Sequence, residues 1–188
     1  HLKSDAMVTI EELFHTTLNE IKNISVLKKG MTNRSFLFDF RDNRYIMRIP
    51  GEGTGKLINR KQEYDIYQVI KNYAVCDEIV YINPQNGYKI TRYLQSARTC
   101  NPNHFEDVCK CMKKLREFHN LELKVNHTFD LFAQIEFYES LWNGEKSYFK
   151  DYEETKQHVL ELRSYIEKQD KHWVLTHIDA VPDNFLFV

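Results

Sequence analysis

The sequence predicts an α+β protein in which a β-rich amino-terminal part with one inserted helix precedes a mostly helical carboxyl-terminal part. Two hydrophobic periods support this prediction. Between residues 35 and 50, apolar side chains recur at every second position, which is typical of half-buried antiparallel strands. Beyond Gln95 they recur at three- and four-residue intervals, which is typical of amphipathic helices. The alternating residues are Phe36, Phe38, Phe40, Tyr45, Met47 and Ile49.

The amino-terminal part contains about five predicted strands, which we expect to form one antiparallel sheet. Thr9 and Glu12 have capping-box spacing and predict the start of a leading helix. Turn chemistry at Asp42 and Asn43 joins two alternating segments into a hairpin. Between the third and fourth strands, one apolar face predicts a helix over residues 57–71. The other strands are predicted at 24–27, 79–82 and 88–93.

The carboxyl-terminal part contains three predicted helices, at residues 105–118, 131–142 and 155–168. The change of period divides the chain into an amino-terminal lobe of residues 1–91, a hinge of residues 92–96 and a carboxyl-terminal lobe of residues 97–188. Because ligands bind preferentially between lobes, we expect the functional site in the cleft that they form.

Composition excludes several classes of protein. Among the 188 residues, 26 Lys and Arg against 27 Asp and Glu leave a net charge of −1, which argues against binding to nucleic acid or an anionic membrane. The longest apolar runs have about four residues, whereas a membrane-spanning helix needs roughly 20. The four cysteines form no Cys-x-x-Cys pair and no zinc-binding spacing, so we expect reduced thiols and a cytoplasmic protein without a signal peptide.

Polar residues interrupt the apolar carboxyl-terminal segment, residues 175–187. Asp179 and Asn184 can converge only if the loop between them bends back, and Pro182 prevents a regular strand there. A carboxylate and an amide oxygen placed together suit a substrate hydroxyl and a hard cation, respectively. The alternative interpretation is a solvated turn, in which Asp, Asn and Pro are common.

A second candidate pair consists of Arg48 and Glu63. Strand alternation places Arg48 on the face opposite Met47 and Ile49, and helical spacing places Glu63 on the inward face of its helix. A buried carboxylate needs a partner, so we expect these two side chains to pair, and an anchored arginine can hold phosphates. The alternative is an exposed arginine and an unrelated glutamate at the edge of the helix.

Two loops contain glycine and hydroxyl groups. Residues 29–35 join the first two strands, and successive N–H groups there can cradle a phosphate, although any strand turn has a similar composition. The glycine-rich segment 51–56 fails the Walker pattern, because Pro50 and Leu57 replace the required residues, so we interpret it as a connector.

Taken together, these residues resemble the choline/ethanolamine kinases, in particular the bacterial choline kinases, within the kinase-like phosphotransferases. The resemblance extends over nearly the whole chain, and the motifs occur in the family's order. They are Gly30–Asn33, Arg48–Gly51, Leu57–Arg60 with Glu63, Leu115–His119, and the His-x-Asp-x-x-x-x-Asn pattern of His177, Asp179 and Asn184.

The resemblance implies a protein-kinase-like two-lobed fold and transfer of the ATP γ-phosphoryl group to choline or a similar amino alcohol. Asp179 is then the catalytic residue that accepts or orients the proton of the substrate hydroxyl, and Asn184 is a catalytic residue that binds Mg²⁺. Arg48 and Glu63 match the strand and helix positions that flank the nucleotide phosphates in kinases. No nucleic-acid or membrane partner is implied.

The resemblance also implies which residues meet the rest of the nucleotide. The loop that covers the phosphates contributes Gly30, Thr32, Asn33, Arg34 and Ser35. The connector at Arg92 and Leu94 meets the adenine through backbone groups.

One departure from the family pattern changes the expectation for this chain. The family's second metal-binding Asp follows the Asn loop in an Ile-Asp-Phe/Trp-Glu motif, and most of the aromatic and acidic residues that hold the choline ammonium lie in the same downstream part. Neither has a counterpart before Val188, so we expect a partial carboxyl-terminal lobe and weak or no turnover. The alternatives are an aminoglycoside-type phosphotransferase and a nucleotide-binding module without turnover.

Overall fold

The computed structural model describes residues 4–29 and 33–188, which form an α+β fold as predicted. The helices are α1 (Ser4–Phe14), α2 (Arg60–Ile70), α3 (Phe105–Asn120), α4 (Leu131–Ser140) and α5 (Tyr152–Glu167). The strands are β1 (Ile21–Lys29), β2 (Asn33–Phe40), β3 (Asn43–Pro50), β4 (Ile79–Ile82), β5 (Lys89–Arg92), β6 (Arg98–Thr99) and β7 (Leu186–Phe187). Short 3₁₀ turns occupy Leu18–Glu20, Thr54–Lys56 and Pro182–Asn184.

Five strands form one antiparallel sheet in the order β1-β2-β3-β5-β4. The alternation in β3 decides which side chains are buried, because Tyr45, Met47 and Ile49 face the core whereas Ile46 and Arg48 face the other side. Helix α1 covers the apolar face, and its Ala6 and Ile10 are fully buried against the sheet. The predicted five-stranded antiparallel sheet with one inserted helix is therefore confirmed.

The predicted start of the leading helix is wrong. Helix α1 contains Ser4–Phe14, so Thr9 lies inside the helix, and its hydroxyl donates to the carbonyl of Asp5 instead of capping the amino terminus. The capping-box spacing misleads here because serine and threonine hydroxyls also bond back to the preceding turn of a helix. The Tyr88 hydroxyl donates to Asp5 at 2.6 Å and ties the helix to the sheet.

The β2–β3 hairpin turns one residue earlier than predicted. Phe40 pairs with Asn43, so Arg41 and Asp42 form the two-residue turn, and Arg41 takes a positive φ of 52°. Asp39, next to the turn, accepts from Arg44 at 2.7 Å and from Asn23 at 2.7 Å. The hydrogen bond from Arg44, followed by that from Asn23, lowers the pKa of Asp39 to about 2.

The chain divides into two compact units. One consists of the described residues up to Leu123 together with Leu175–Val188, and the other consists of Lys124–Val174. In the second unit, Glu139 of α4 accepts from Tyr152 and Lys156 of α5 at 2.7 and 2.6 Å. The predicted lobe boundaries at residues 91 and 97 stay a prediction. None of the helices in the described part of the chain has the length and hydropathy that crossing a bilayer requires.

Candidate functional site

The predicted pairing of Arg48 with Glu63 is confirmed. Asn59 caps α2 by accepting from the backbone N–H of Gln62, which sets Glu63 in the first turn of the helix. Arg48 Nη1 of β3 forms an ion pair with Glu63 Oε1, and the two side chains are only 16% and 20% exposed. The low exposure makes the pair mutually dependent, since removal of one partner leaves a mostly buried charge.

The backbone carbonyl of Gly87 also holds Arg48. Arg48 Nη2 donates to the carbonyl of Gly87 at 3.2 Å, in the turn between β4 and β5. Asn83 organises this turn, because its side-chain oxygen accepts from the backbone N–H groups of Gln85 and Asn86 at 2.8 and 3.2 Å. Gly87 takes a φ of 73°, which favours glycine. The Asn-Pro-Gln-Asn-Gly sequence predicts the turn, but not that its carbonyl meets Arg48.

Asp179 and Asn184 converge as the sequence predicts. The 3₁₀ turn Pro182–Asn184 reverses the chain, and Asn184 Nδ2 then donates to the Asp179 carbonyl at 2.8 Å and to its carboxylate Oδ2 at 3.2 Å. The backbone N–H of Asp179 donates to His177 Nδ1 at 3.2 Å, so this histidine tethers the loop. The pair is exposed and therefore open to a substrate.

The backbone beside Asp179 is strained. Ile178 takes a φ of 70°, in the left-handed region that β-branched residues rarely adopt. Such a conformation costs of order 1–3 kcal/mol and persists only where surrounding contacts hold it, which is characteristic of functional sites.

The chemistry of the Asp179–Asn184 pair suits an oxygen-loving cation. The amide nitrogen of Asn184 points at Asp179, which leaves the amide oxygen directed elsewhere, and hard cations take oxygen ligands. No group of three or more His, Cys, Asp or Glu side chains that could hold a metal occurs in residues 4–29 and 33–188. In nucleotide-binding proteins, Mg²⁺ is usually held by one or two side-chain oxygens together with phosphate oxygens of the substrate.

The loop before β2 falls partly outside the described residues. Gly30 and Thr32 are not described, whereas Asn33, Arg34 and Ser35 form the first residues of β2. Ser35 pairs directly with Arg48 across the β2–β3 ladder, so the end of this loop lies beside the Arg48–Glu63 pair. The glycine-rich segment forms the 3₁₀ turn Thr54–Lys56, in which the Thr54 hydroxyl donates to the Gly51 carbonyl at 2.7 Å.

The side chain of Arg92 is engaged within the sheet. Its Nη1 donates to Asn43 at 2.6 Å, its Nε lies 2.9 Å from Glu78, and its guanidinium lies over the ring of Tyr45. The carbonyl of Leu94 accepts from Ala97 at 3.4 Å in the connector that follows. A role for Arg92 and Leu94 toward a ligand depends on their backbone groups and stays a prediction.

Sequence reasoning missed the buried carboxylate of Asp107. Asp107, in the first turn of α3, is 2% exposed and accepts from Arg98, from the backbone N–H of Asn101 and from His104. The hydrogen bond from Arg98, followed by those from Asn101 and His104, holds the pKa of Asp107 well below its usual range. An acid in the first turn of a helix is so common that the sequence alone gives no signal.

Among the hydrogen bonds of the described residues, none joins the Arg48–Glu63 pair to the Asp179–Asn184 pair. The two pairs lie in the same compact unit. A five-stranded sheet with an Arg–Glu pair between strand and helix, followed by helices and an Asp–Asn loop, defines a protein of the kinase-like phosphotransferase fold.

Comparison with known proteins specifies the family. The family model described as choline/ethanolamine kinase matches residues 24–187, and the chain belongs to this family. It is 27% identical over 183 residues to the protein LicA of Haemophilus influenzae, covering 94% of this chain and 53% of the relative.

Two solved structures are also similar to this chain over nearly its whole length. The crystal structure of the choline kinase LicA from Streptococcus pneumoniae matches 97% of this chain and 64% of its own length, at 27% identity and a TM-score of 0.82. A structure of LicA in complex with AMP matches 99% of this chain and 64% of its own length, with the same identity and TM-score. The chain thus spans between half and two thirds of the length of these relatives.

Proposed function

We propose that the protein transfers the γ-phosphoryl group of ATP to the hydroxyl of choline or a similar amino alcohol. The observation that carries the proposal is the Asp179–Asn184 hydrogen bond in a chain of the choline/ethanolamine kinase family. Phosphoryl transfer requires positioning of the reactants and compensation of negative charge rather than covalent chemistry by the protein. The Arg48–Glu63 pair offers a cation for the phosphates, and the Asp179–Asn184 pair offers a positioned carboxylate for the substrate hydroxyl.

Asp179 is the proposed acceptor of the proton from the substrate hydroxyl. Its carboxylate is exposed to substrate, and the amide of Asn184 holds one of its oxygens at 3.2 Å. The hydrogen bond fixes the orientation of the carboxylate, so that its other oxygen is directed away from Asn184. A positioned carboxylate contributes typically 10²–10⁴-fold to such a transfer.

Arg48 is the proposed phosphate-binding cation. Glu63 and the Gly87 carbonyl hold its two terminal nitrogens, while its buried Nε has no hydrogen-bond partner within the described part of the chain. A pre-anchored guanidinium loses little side-chain entropy when a phosphate arrives. Ser35, opposite Arg48 on β2, supports the further proposal that Gly30, Thr32, Asn33, Arg34 and Ser35 cover the phosphates.

Mg²⁺ is the proposed cofactor, and the amide oxygen of Asn184 is its proposed protein ligand. When bound, this ion would neutralise charge on the phosphate oxygens of ATP. Asn184 holds Asp179 through its amide nitrogen, so one side chain serves both the carboxylate and the metal. The connector at Arg92 and Leu94 is the proposed adenine contact, and the AMP complex of LicA supports nucleotide binding by this family.

Choline is the preferred substrate in this proposal because the matched bacterial structure is described as a choline kinase. The aminoglycoside-type phosphotransferase is the less supported alternative, since the family model that matches is that of choline/ethanolamine kinases. Nucleotide binding without turnover is the other alternative, and the measurements below distinguish it from phosphoryl transfer. All four cysteines are free, which supports a cytoplasmic location.

The test replaces Asp179 and compares it with a matched carboxylate of the same loop. Asp179→Asn in the full-length protein should lower kcat with choline, ATP and Mg²⁺ by about 10²–10⁴-fold while ATP affinity stays within about threefold. Asp183→Asn, in the adjacent 3₁₀ turn, removes an exposed carboxylate from the same loop and should stay within about threefold of wild type in both quantities. Turnover retained in Asp179→Asn would contradict the assignment.

A second measurement separates binding from turnover. Calorimetric titration of the 188-residue chain with ATP and Mg²⁺ should give saturable binding, which Arg48→Met should weaken about tenfold or more, because a charged phosphate contact is lost. Choline, ethanolamine and an aminoglycoside, each supplied with ATP to the full-length protein, identify the acceptor. Binding without phosphorylation of any acceptor would favour the nucleotide-binding module.

A further inference from the structure

Asp107 lies outside the proposed site and is the most buried carboxylate described in the chain, with 1% of the residue exposed. Arg98 grips it with both terminal nitrogens, at 2.5 and 3.0 Å. The backbone N–H of Asn101 and the ring Nδ1 of His104 add contacts at 3.0 and 3.1 Å. Four contacts to one carboxylate fix its position and, through the planar guanidinium, the position of Arg98.

Arg98 is in turn connected to the end of the Asp179–Asn184 loop. It lies in β6 and pairs with Phe187 of β7, and its guanidinium lies 4.6 Å from the centroid of the Phe187 ring. The backbone N–H of Cys100 donates to the Phe185 carbonyl at 3.2 Å, one residue after Asn184. Contacts therefore run from Asp107 through Arg98 to β7, whose first residue is two positions after Asn184.

The loop needs such support. Strands β6 and β7 have two residues each, and so short a ladder is marginally stable by itself. Asp179 and Asn184 are exposed, and Ile178 holds a strained φ of 70°, so the loop has little burial of its own to fix it. The stacking of Arg98 on Phe187 supplies a fixed contact on the β7 side of the loop. Arg98 is itself held by Asp107, and we call these two residues the clamp.

We propose that Asp107, acting through Arg98, is a positioning residue that sets Asn184 at the Mg²⁺–ATP complex. The inference rests on the proposed function, in which Asn184 is the metal ligand. Strand β6 also follows the connector at Leu94, so the same clamp joins the connector to the loop. Partners that orient a metal ligand typically contribute 10- to 100-fold to metal affinity or activity.

The geometry of the Asp107–Arg98 pair distinguishes positioning of Asn184 from a simple charge contact. Arginine presents a planar fork that matches a carboxylate and stacks on a ring, whereas lysine offers one point charge. Arg98→Lys keeps the charge but loses both the two-pronged grip and the stacking on Phe187. It should therefore show the positioning defect, even though an ion pair with Asp107 remains possible.

The experiment measures the Mg²⁺ dependence of ATP binding by calorimetry and of turnover in the full-length protein. Asp107→Asn and Arg98→Lys should raise the half-saturating Mg²⁺ concentration about tenfold or more and lower kcat at least tenfold, while the KM for choline stays within about twofold. The matched control is Glu139→Gln in the second compact unit, where a carboxylate likewise holds two donors. It should lower the unfolding midpoint but leave the Mg²⁺ dependence within about twofold.

The outcomes separate this inference from the proposed function. A clamp variant whose Mg²⁺ dependence matches that of Glu139→Gln overturns the positioning role. If Asp107→Asn does not fold, Phe187→Leu decides, because it removes the ring surface under Arg98 and keeps an apolar side chain in β7; it should raise the Mg²⁺ requirement about threefold or more. If wild type binds Mg²⁺–ATP but phosphorylates no acceptor, the proposed function fails, and the calorimetric Mg²⁺ dependence still decides whether the clamp positions Asn184.

Discussion

Gly87 connects the architecture of the sheet to the proposed phosphate site, so we expect Gly87→Ala to affect both stability and nucleotide binding. The residue is buried in the β4–β5 turn, takes a φ of 73°, and accepts from Arg48 through its carbonyl. An added Cβ would lie 2.8 Å from Pro50 Cγ and 3.1 Å from Arg60 Cδ. The first contact is shorter than carbon atoms tolerate, and the proline ring has little freedom to move away.

Two costs add at this position. A left-handed alanine costs about 1–2 kcal/mol, partly offset by about 0.4–1 kcal/mol from the less flexible unfolded chain. Overpacking against Pro50 adds about 1–3 kcal/mol. Gly87→Ala should therefore destabilise the protein by about 1–5 kcal/mol in all. Movement of the turn also weakens the hydrogen bond to Arg48, which should raise the Kd for ATP about 3- to 10-fold.

Gly53 provides a matched control. It has a φ of 77°, yet an added Cβ there meets no atom within 4 Å, so Gly53→Ala should cost only the backbone term of about 1 kcal/mol. Thermal unfolding followed by circular dichroism measures both variants. The unfolding temperature of Gly87→Ala should lie about 2–12 °C below that of Gly53→Ala, since 1 kcal/mol shifts it by about 2–4 °C for a chain of this size.

A second substitution tests the contact itself. Pro50→Ala removes the Cγ that the new methyl group would meet. Gly87→Ala should therefore destabilise the Pro50→Ala protein less than it destabilises the wild type. Equal destabilisation of Gly87→Ala and Gly53→Ala, or no recovery in the double variant, would refute the packing argument. Unchanged ATP affinity in a destabilised Gly87→Ala protein would refute the connection to Arg48.

Three further predictions concern the core, the pH dependence and the thiols. Ile10→Ala should cost about 2–4 kcal/mol in urea denaturation, whereas half-exposed Val8→Ala should cost less than about 1 kcal/mol, and equal costs would contradict the packing of α1 on the sheet. The pKa of Asp39, lowered to about 2, means that its stabilising contribution is present above the unfolded pKa of about 3.9 and is lost as the pH falls through that interval. Asp39→Asn should reduce the pH dependence of the urea midpoint between about pH 4 and pH 2, and an unchanged pH dependence would disprove the assignment. Burial, followed by the Cys100 hydrogen bond, raises the pKa of Cys111 to about 11, so a thiol reagent at neutral pH should modify exposed Cys109 first and Cys111 only upon unfolding.

The local part of the site could be predicted from sequence because periodicity is a local property. Strand alternation placed Arg48 opposite the buried face of β3, and helical spacing placed Glu63 toward it, so their pairing followed from the need to compensate a buried charge. The five-residue spacing of Asp179 and Asn184, with Pro182 between them, likewise predicted a loop that bends back.

Contacts between distant segments could not be predicted in this way. Strands β6 and β7 are two residues long, too short to show a period, and they join segments almost 90 positions apart in the chain. The contact of Arg98 with the ring of Phe187 and that of Arg48 with the Gly87 carbonyl depend on that kind of pairing.

The sequence by itself determined which faces of the strands and helices are apolar, and hence the class of fold and the orientation of Arg48 and Glu63. Only the tertiary structure decided which backbone carbonyl meets Arg48 and which aromatic ring lies beside Arg98. The physical reason is that burial is specified residue by residue along the chain, whereas the register between distant segments is set by hydrogen bonds and packing that exist only once the chain has folded.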